Sequence, residues 1–383
     1  MLAAVALLAA LLPAQQTPAT ATRGVQKIVG NGHFLVLFSD GTVGGWGDMR
    51  DGQLGPIAAI PNSSGHSRTF VSLPLPAKAI DIATGGRTSY ILLESGSVLA
   101  LGYGRNGELG CGEPCLKGSE TPVPVVGLSD VIAISAGEQT AFAVHRDGTV
   151  SGWGTRGVLL GPQDPDKRNQ LTPERIPGPR DIITISATGG THVLALTRAG
   201  TVWHWGKLPL GIIFSDDPVI APHEVPGLTG VQAVVTTGVA AVLKKDGTVW
   251  VWGKNEQAQF GNGRRDSSEK SAAPIRVPGV AGVTQLAGAW IGRHFLALLR
   301  DGTIKTWGNT DWGQAGTGVT GMEQATPVTS KISGVKAVFA AGNNSFAIRS
   351  DGSVWIWGNG GGYSGVWPLG RKPAPLPVPL PLP

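Results

Sequence analysis

The residues with side chains suited to metal binding or acid–base work are seven histidines, two cysteines and a few paired aspartates. His33, His192 and His294 stand at one place in an internal repeat, where other copies carry Thr88, Thr140 and Ser345. Side chains that interchange in this way share the ability to hydrogen-bond a neighbouring backbone group, which points to a repeated structural role and away from a ligand set. His66, His145, His204 and His223 have no shared spacing. Cys111 and Cys115 lie in CGEPC. A ribbon-type zinc site needs a second cysteine pair, and the chain has none. In an exported protein the two fit a local disulfide that stabilises little because its loop is short; free thiols are the alternative. Asp164, Asp166, Asp216 and Asp217 lack the regular offsets and central glycine of a calcium loop. No metal is therefore expected.

Nucleotide and nucleophile chemistry fare no better. The run from Gly102 to Gly107 reads GYGRNG, but a proline-bearing loop follows where a dinucleotide fold needs a helix. There is no GxSxG, Walker A or HExxH pattern, and no acid and asparagine set for a quinone cofactor. The expectation is a non-enzyme with no cofactor and no catalytic residue.

Tryptophan is the unusual residue, with 12 copies. Trp46, Trp153, Trp205, Trp252, Trp307 and Trp357 each precede a glycine at the end of a repeat, and Leu101 takes that place once. Trp203, Trp250 and Trp355 lie two residues earlier, on the same strand face. Core packing is the expected role of both sets. Trp290, Trp312 and Trp367 fall outside the motif.

The elements that would carry these residues repeat seven times, over 28–47, 82–102, 134–154, 185–206, 234–253, 286–308 and 338–358. The turn glycines Gly41, Gly96, Gly148, Gly200, Gly247, Gly302 and Gly352 are spaced by 55, 52, 52, 47, 55 and 50 residues. Five of them follow aspartate, and Asp-Gly between two apolar runs predicts a hairpin with a type I′ turn. The flanking runs are short and apolar on both faces, as suits strands covered on both sides. A short strand precedes each hairpin. A further segment follows, often opening Thr-Pro or Ala-Pro (Thr121-Pro122, Thr172-Pro173, Ala221-Pro222, Ala273-Pro274, Thr326-Pro327). Proline belongs on an outer edge strand, whose outward N–H needs no partner. Four antiparallel strands per unit cannot bury two faces alone, but seven sheets packed around an axis can. The fold class is thus all-β, a seven-bladed β-propeller of four-stranded antiparallel blades. Composition agrees: Gly 58 and Pro 28 together make 86/383 residues, too many for long helices. Proline at every second position from Pro373 to Pro383 fits an outer strand or a polyproline II tail.

The repeat resembles that of the regulator of chromosome condensation family, loosely A-A-G-x-x-H-S-x-A-L, D-G-x-V-x-x-W-G and N-x-x-G-Q-L-G. The first two parts match in nearly every copy. The third survives in Gly52-Gln53-Leu54-Gly55 and Asn106-Gly107-Glu108-Leu109-Gly110 and is degraded elsewhere. The resemblance covers about 25–380 and implies a seven-bladed propeller. It implies less about function, because relatives include a guanine-nucleotide exchange factor, scaffolds, photoreceptors and a secreted β-lactamase inhibitor.

Residues 1–12, MLAAVALLAALL, are too short to span a bilayer and suit the core of a secretory signal cleaved within 13–21. Residues 1–22 are expected to be signal and linker, and 23–383 one propeller domain in a secreted or periplasmic protein. An exported chain would not meet a nuclear GTPase, so nucleotide exchange is not expected. The net charge is +5 with no run of five like charges, so no nucleic-acid partner is expected; nor is a membrane span. The long loops, within 48–68, 103–120, 155–171, 207–220, 254–272 and 309–325, share one face of the ring. The hairpin that turns at Asp301-Gly302 puts Trp290 and Trp312 on that face. Aromatic residues on exposed loops are interface anchors, so these two are the candidate site for an unidentified protein or polymer partner of a monomeric binding scaffold. The alternatives are an inhibitor of a secreted enzyme, and an extracellular hydrolase or lyase using loop carboxylates.

Overall fold

The computed structural model describes residues 23–56, 65–155, 169–187, 192–207, 219–266, 268–359 and 372–383. Twenty-eight strands form seven antiparallel four-stranded sheets, each from one continuous stretch of chain. In blade 1 the order is β1 (Val25–Gly30), β2 (His33–Phe38), β3 (Val43–Asp48) and β4 (His66–Leu73). Blades 2 to 7 repeat it over 79–124, 131–175, 182–224, 231–276, 283–329 and 335–379. The first strand of each blade lines the axis and the fourth, proline-bearing in every blade but the first, lies outermost. Ala374–Pro379 takes that outer place in blade 7.

The turns depart from the expected type. In blade 1 the Phe38 N–H donates to the Thr42 carbonyl and the Gly41 N–H to the Phe38 carbonyl, both at 3.0 Å. Only Gly41 has positive φ, +83°, and Asp40 does not. This is a three-residue loop closed by a left-handed glycine. The side chain explains it: Asp40 Oδ1 accepts from the Thr42 N–H at 2.9 Å and its hydroxyl at 2.6 Å. The same pair recurs at Asp147/Thr149, Asp246/Thr248 and Asp351/Ser353.

The core is divided into seven apolar clusters, one for each seam between neighbouring blades. The motif tryptophans are fully buried, and each lies in the seam with the preceding blade, as does Leu101. Trp203, Trp250 and Trp355 are only partly buried at the margin of those clusters, near the hairpin turns. Trp250 and Trp355 donate to Thr248 and Ser353 of the turns.

Around the axis, side chains of one blade satisfy the free edge of the next. Asp81 accepts from the Ile134 N–H, Ser135 from Ala187 and Ser186 from Thr236, while Gln285 bonds both backbone groups of Val338. At these four seams the inner edge is thereby kept from pairing elsewhere.

The histidines hold the same seams. His33 Nε2 bonds Ser89 Oγ of blade 2 at 2.9 Å, and Ser89 donates back to the Gln53 carbonyl. His294 bonds Ser345 of blade 7, which donates to the Gln314 carbonyl. The register corrects one alignment: Asn344, paired with Gly358, is the blade 7 equivalent of His33, and Ser345 matches Ser89.

Candidate functional site

One turn recurs on the long-loop face. Residues 51–55, 106–110, 257–261 and 312–316 each place a Gln or Glu third, and its side chain accepts the N–H of the first residue: Asp51, Asn106, Gln257 and Trp312. The second position has positive φ, at Gly52, Gly107, Ala258 and Gly313. The third residue's carbonyl then takes the indole N–H of the next blade: Trp153 to Glu108 and Trp307 to Gln259 at 2.9 Å, Trp357 to Gln314 at 2.7 Å. Two of these turns, in blades 5 and 6, were expected to be degraded. Ala258 tolerating φ +60° and the loss of leucine at Ala315 hid them. The shared Gln259 and Gln314 were the signal that could have found them.

In all four turns the last four residues are buried, while the first is exposed at Trp312 and half-buried at Asp51, Asn106 and Gln257. The geometry is fixed while the chemistry of the first residue changes, from Asp to Asn to Gln to Trp. In blade 6 it is Trp312, 46% exposed. That loop lies on the outer strand of blade 7. The Gly318 N–H donates to the Pro375 carbonyl at 2.9 Å, and a Cβ on Gly313 would meet Pro375 Cα at 2.6 Å. Val319 and Met322 of the loop and Leu376 of that strand are also exposed. Four of the eight exposed large apolar side chains among the described residues are thus concentrated at one boundary on this face. Beside them, Glu323 is bridged by Arg265 at 2.8 Å; burial, reinforced by Asp311, nonetheless raises its carboxyl above its ordinary value.

Trp290 sits elsewhere on the same face. The turns between first and second strands hold two or three residues in blades 1, 2, 3, 5 and 7 but four in blade 6, Trp290 to Arg293. The extra length carries Trp290 and Ile291 over the axis, where both line a central channel of about 560 Å³. They also line a second cavity of about 240 Å³ against blades 2 and 3. The two tryptophans therefore share a face but lie at different radii, Trp290 at the axis and Trp312 at the rim.

Cys111 and Cys115 are disulfide-bonded, with Cα atoms 5.9 Å apart. Two histidines that sequence spacing left scattered, His204 and His223, converge in blade 4 on His192 of the repeat. His192 and His204 have ring centroids 5.8 Å apart, and His204 and His223 5.6 Å. Among the described residues no group of three or more His, Cys, Asp or Glu is placed to hold a metal. Burial lowers His204 to about 3, and His33, His192 and His294 to about 4, so all four are neutral at physiological pH. Trp367, Asp164, Asp166, Asp216 and Asp217 lie outside the described residues.

The regulator of chromosome condensation (RCC1) repeat matches residues 95–144 and 246–295. Each match runs from one hairpin turn through the outer half of a blade and the inner half of the next, so the sequence unit itself crosses a seam. The E3 ubiquitin-protein ligase HERC2 of Homo sapiens is 27% identical over 342 residues, 83% of this chain; the chain spans 7% of that protein's length. The mitochondrial RCC1 domain-containing protein RUG3 of Arabidopsis thaliana is 29% identical, covering 85% of this chain and 78% of the relative. The ultraviolet-B receptor UVR8 of the same plant is 28% identical, covering 86% and 76%. Among solved structures, Prp20p of Saccharomyces cerevisiae, described with its binding properties to Gsp1p and histones, superposes with a TM-score of 0.73 at 21% identity, over 94% of this chain and 88% of that one. At that identity the likeness is one of fold.

Proposed function

We propose that this chain, a seven-bladed propeller of regulator of chromosome condensation repeats, is a binding scaffold that holds a protein or polymer partner on its long-loop face. The observation that carries this reading is the exposed patch of Trp312, Val319, Met322 and Leu376. Large apolar side chains clustered in water mark an interaction surface, and an aromatic at its centre is the residue type that anchors one. The rigid turn beneath Trp312 supports the reading, because a preorganised anchor gives up little freedom on binding. A partner of standard size would cover about 800 Å² of this face. An inhibitor of a secreted enzyme is the same reading with a defined target.

Export is part of the proposal. The apolar run 1–12 and the Cys111–Cys115 bridge support it, since disulfides persist in oxidising compartments. Mass spectrometry of the protein recovered from cells making the full chain should find an N-terminus within 14–22; an intact Met1 in a reducing compartment would refute export.

The binding test is crosslinked capture with wild type and a Trp312→Ala/Met322→Ala variant of unchanged melting temperature. A partner held by the wild type and lost by the variant is the expected result. Equal capture by both would remove the patch as the site and direct attention to the loop carboxylates as catalytic groups.

A further inference from the structure

We propose that the cavity between Trp290 and blades 2 and 3 is a subsite for one cationic side chain, lysine or arginine, of the bound partner. The inference rests on the long-loop face being the binding face, and it specifies the chemistry recognised there. The cavity measures about 240 Å³, room for one long side chain, and it opens beside the axis. Its walls include Asn31, Arg87, Tyr103, Glu108, Glu138 and Trp290.

Charge decides what it accepts. Arg87 is already satisfied: it forms a bidentate pair with Asp51, at 2.6 and 2.7 Å, and stacks on the Tyr103 ring with its guanidinium carbon 4.6 Å from the centroid. That pair cancels, leaving two carboxylates on the walls. Glu108 is 2% exposed, and its oxygens accept only from Asn106, through the backbone N–H at 2.8 Å and the side-chain amide at 2.9 Å. Glu138 is exposed, and its carboxylate makes no hydrogen bond or ion pair among the described residues. Asn31 Oδ1 is buried without a partner and adds a third acceptor. Two carboxylates and the Asn31 amide oxygen, with an indole alongside, suit a cation carrying several N–H groups. The chain as a whole is positive, at +5, so attraction of a cation to this face must be local.

The selectivity has a structural origin. Trp290 reaches the cavity only because the blade 6 turn is longer than those of blades 1, 2, 3, 5 and 7, and Glu138 faces it from the corresponding turn of blade 3.

The test is calorimetric titration of the full chain, at low ionic strength, with acetylated tetralysine, tetraarginine and tetraglutamine amides. The expected result is one-to-one binding of at least one cationic peptide, none of tetraglutamine, and affinity reduced about tenfold or more by Glu138→Gln and by Trp290→Leu. Asp40→Asn, an equal charge change on the opposite face, should leave the affinity within about twofold. The lysine and arginine arms report which head group fits better. Failure of both cationic peptides to bind, or binding undiminished by Glu138→Gln, would overturn the subsite. If the subsite fails while capture still depends on Trp312, the long-loop face keeps its role and only the cationic chemistry is lost.

Discussion

Four histidines illustrate how a residue suited to catalysis can be used for packing. His33, His192, His204 and His294 are buried, and their ring pKa values fall to between about 3 and about 4 because burial disfavours the imidazolium. The sign follows directly. The folded state holds each ring neutral, and the unfolded state protonates near 6.5, so stability is complete above about 6.5 and falls as pH drops toward about 4. Each histidine steepens that loss by about 1.4 kcal/mol per pH unit. Thermal melts from pH 7.5 to 4.5 should show a steep decline below 6.5. His33→Asn, which installs the residue that blade 7 uses at Asn344, should make the decline shallower by one proton. An unchanged slope would mean that His33 titrates normally in the fold. The hydrogen-bonding role expected of the repeated histidine from sequence is the one His33 and His294 display. The partner was not legible: Ser89 and Ser345 lie 56 and 51 residues away, across a seam that only the ring creates.

At the level of the strand and turn, sequence was most informative about element type and least about turn geometry. Val, Ile and Trp runs around Asp-Gly give the hairpins. The turn type went the other way because the aspartate binds the following Thr or Ser and keeps negative φ, so a single left-handed glycine suffices. Glycine is therefore required for its backbone at these positions, but not equally. A Cβ on Gly352 meets nothing within 4 Å, whereas on Gly148 it would lie 2.7 Å from Asp181 Cα. Gly352→Ala should cost about 1 kcal/mol, the strain of a left-handed alanine, and Gly148→Ala should cost at least 2 kcal/mol more in chemical denaturation, on the order of overpacking penalties. Equal costs would show that the connector at Asp181 yields freely. Trp312 was legible as a loop aromatic, but not as the first position of a turn shared by four blades. That equivalence rests on hydrogen bonds from Gln53, Glu108, Gln259 and Gln314, which a comparison of spacing does not reveal.

The whole ring closes between blades 7 and 1 without sharing a strand. Phe34, Trp46 and Phe346 fill that seam, and Arg23 donates to the Pro383 carbonyl across it at 3.1 Å. Phe346→Ala should cost about 3–5 kcal/mol. Phe142→Ala, at the chain-linked seam between blades 3 and 4, should cost the same order. Only the first should speed amide exchange at Val25–Gly30 and Val335–Ala341 ahead of the rest. Uniform acceleration in both variants would mean that the ring opens nowhere in particular. A rigid frame of this kind leaves function to what varies on its surface, and here the variation is concentrated on the long-loop face. The most direct measurement is oxidative footprinting of the protein alone and in complex with its captured partner. The account predicts protection of Trp312 and Met322 with no change at Trp250 and Trp355, which flank the Asp-Gly turns on the opposite face. Protection of Trp250 and Trp355, with Trp312 still reactive, would contradict it.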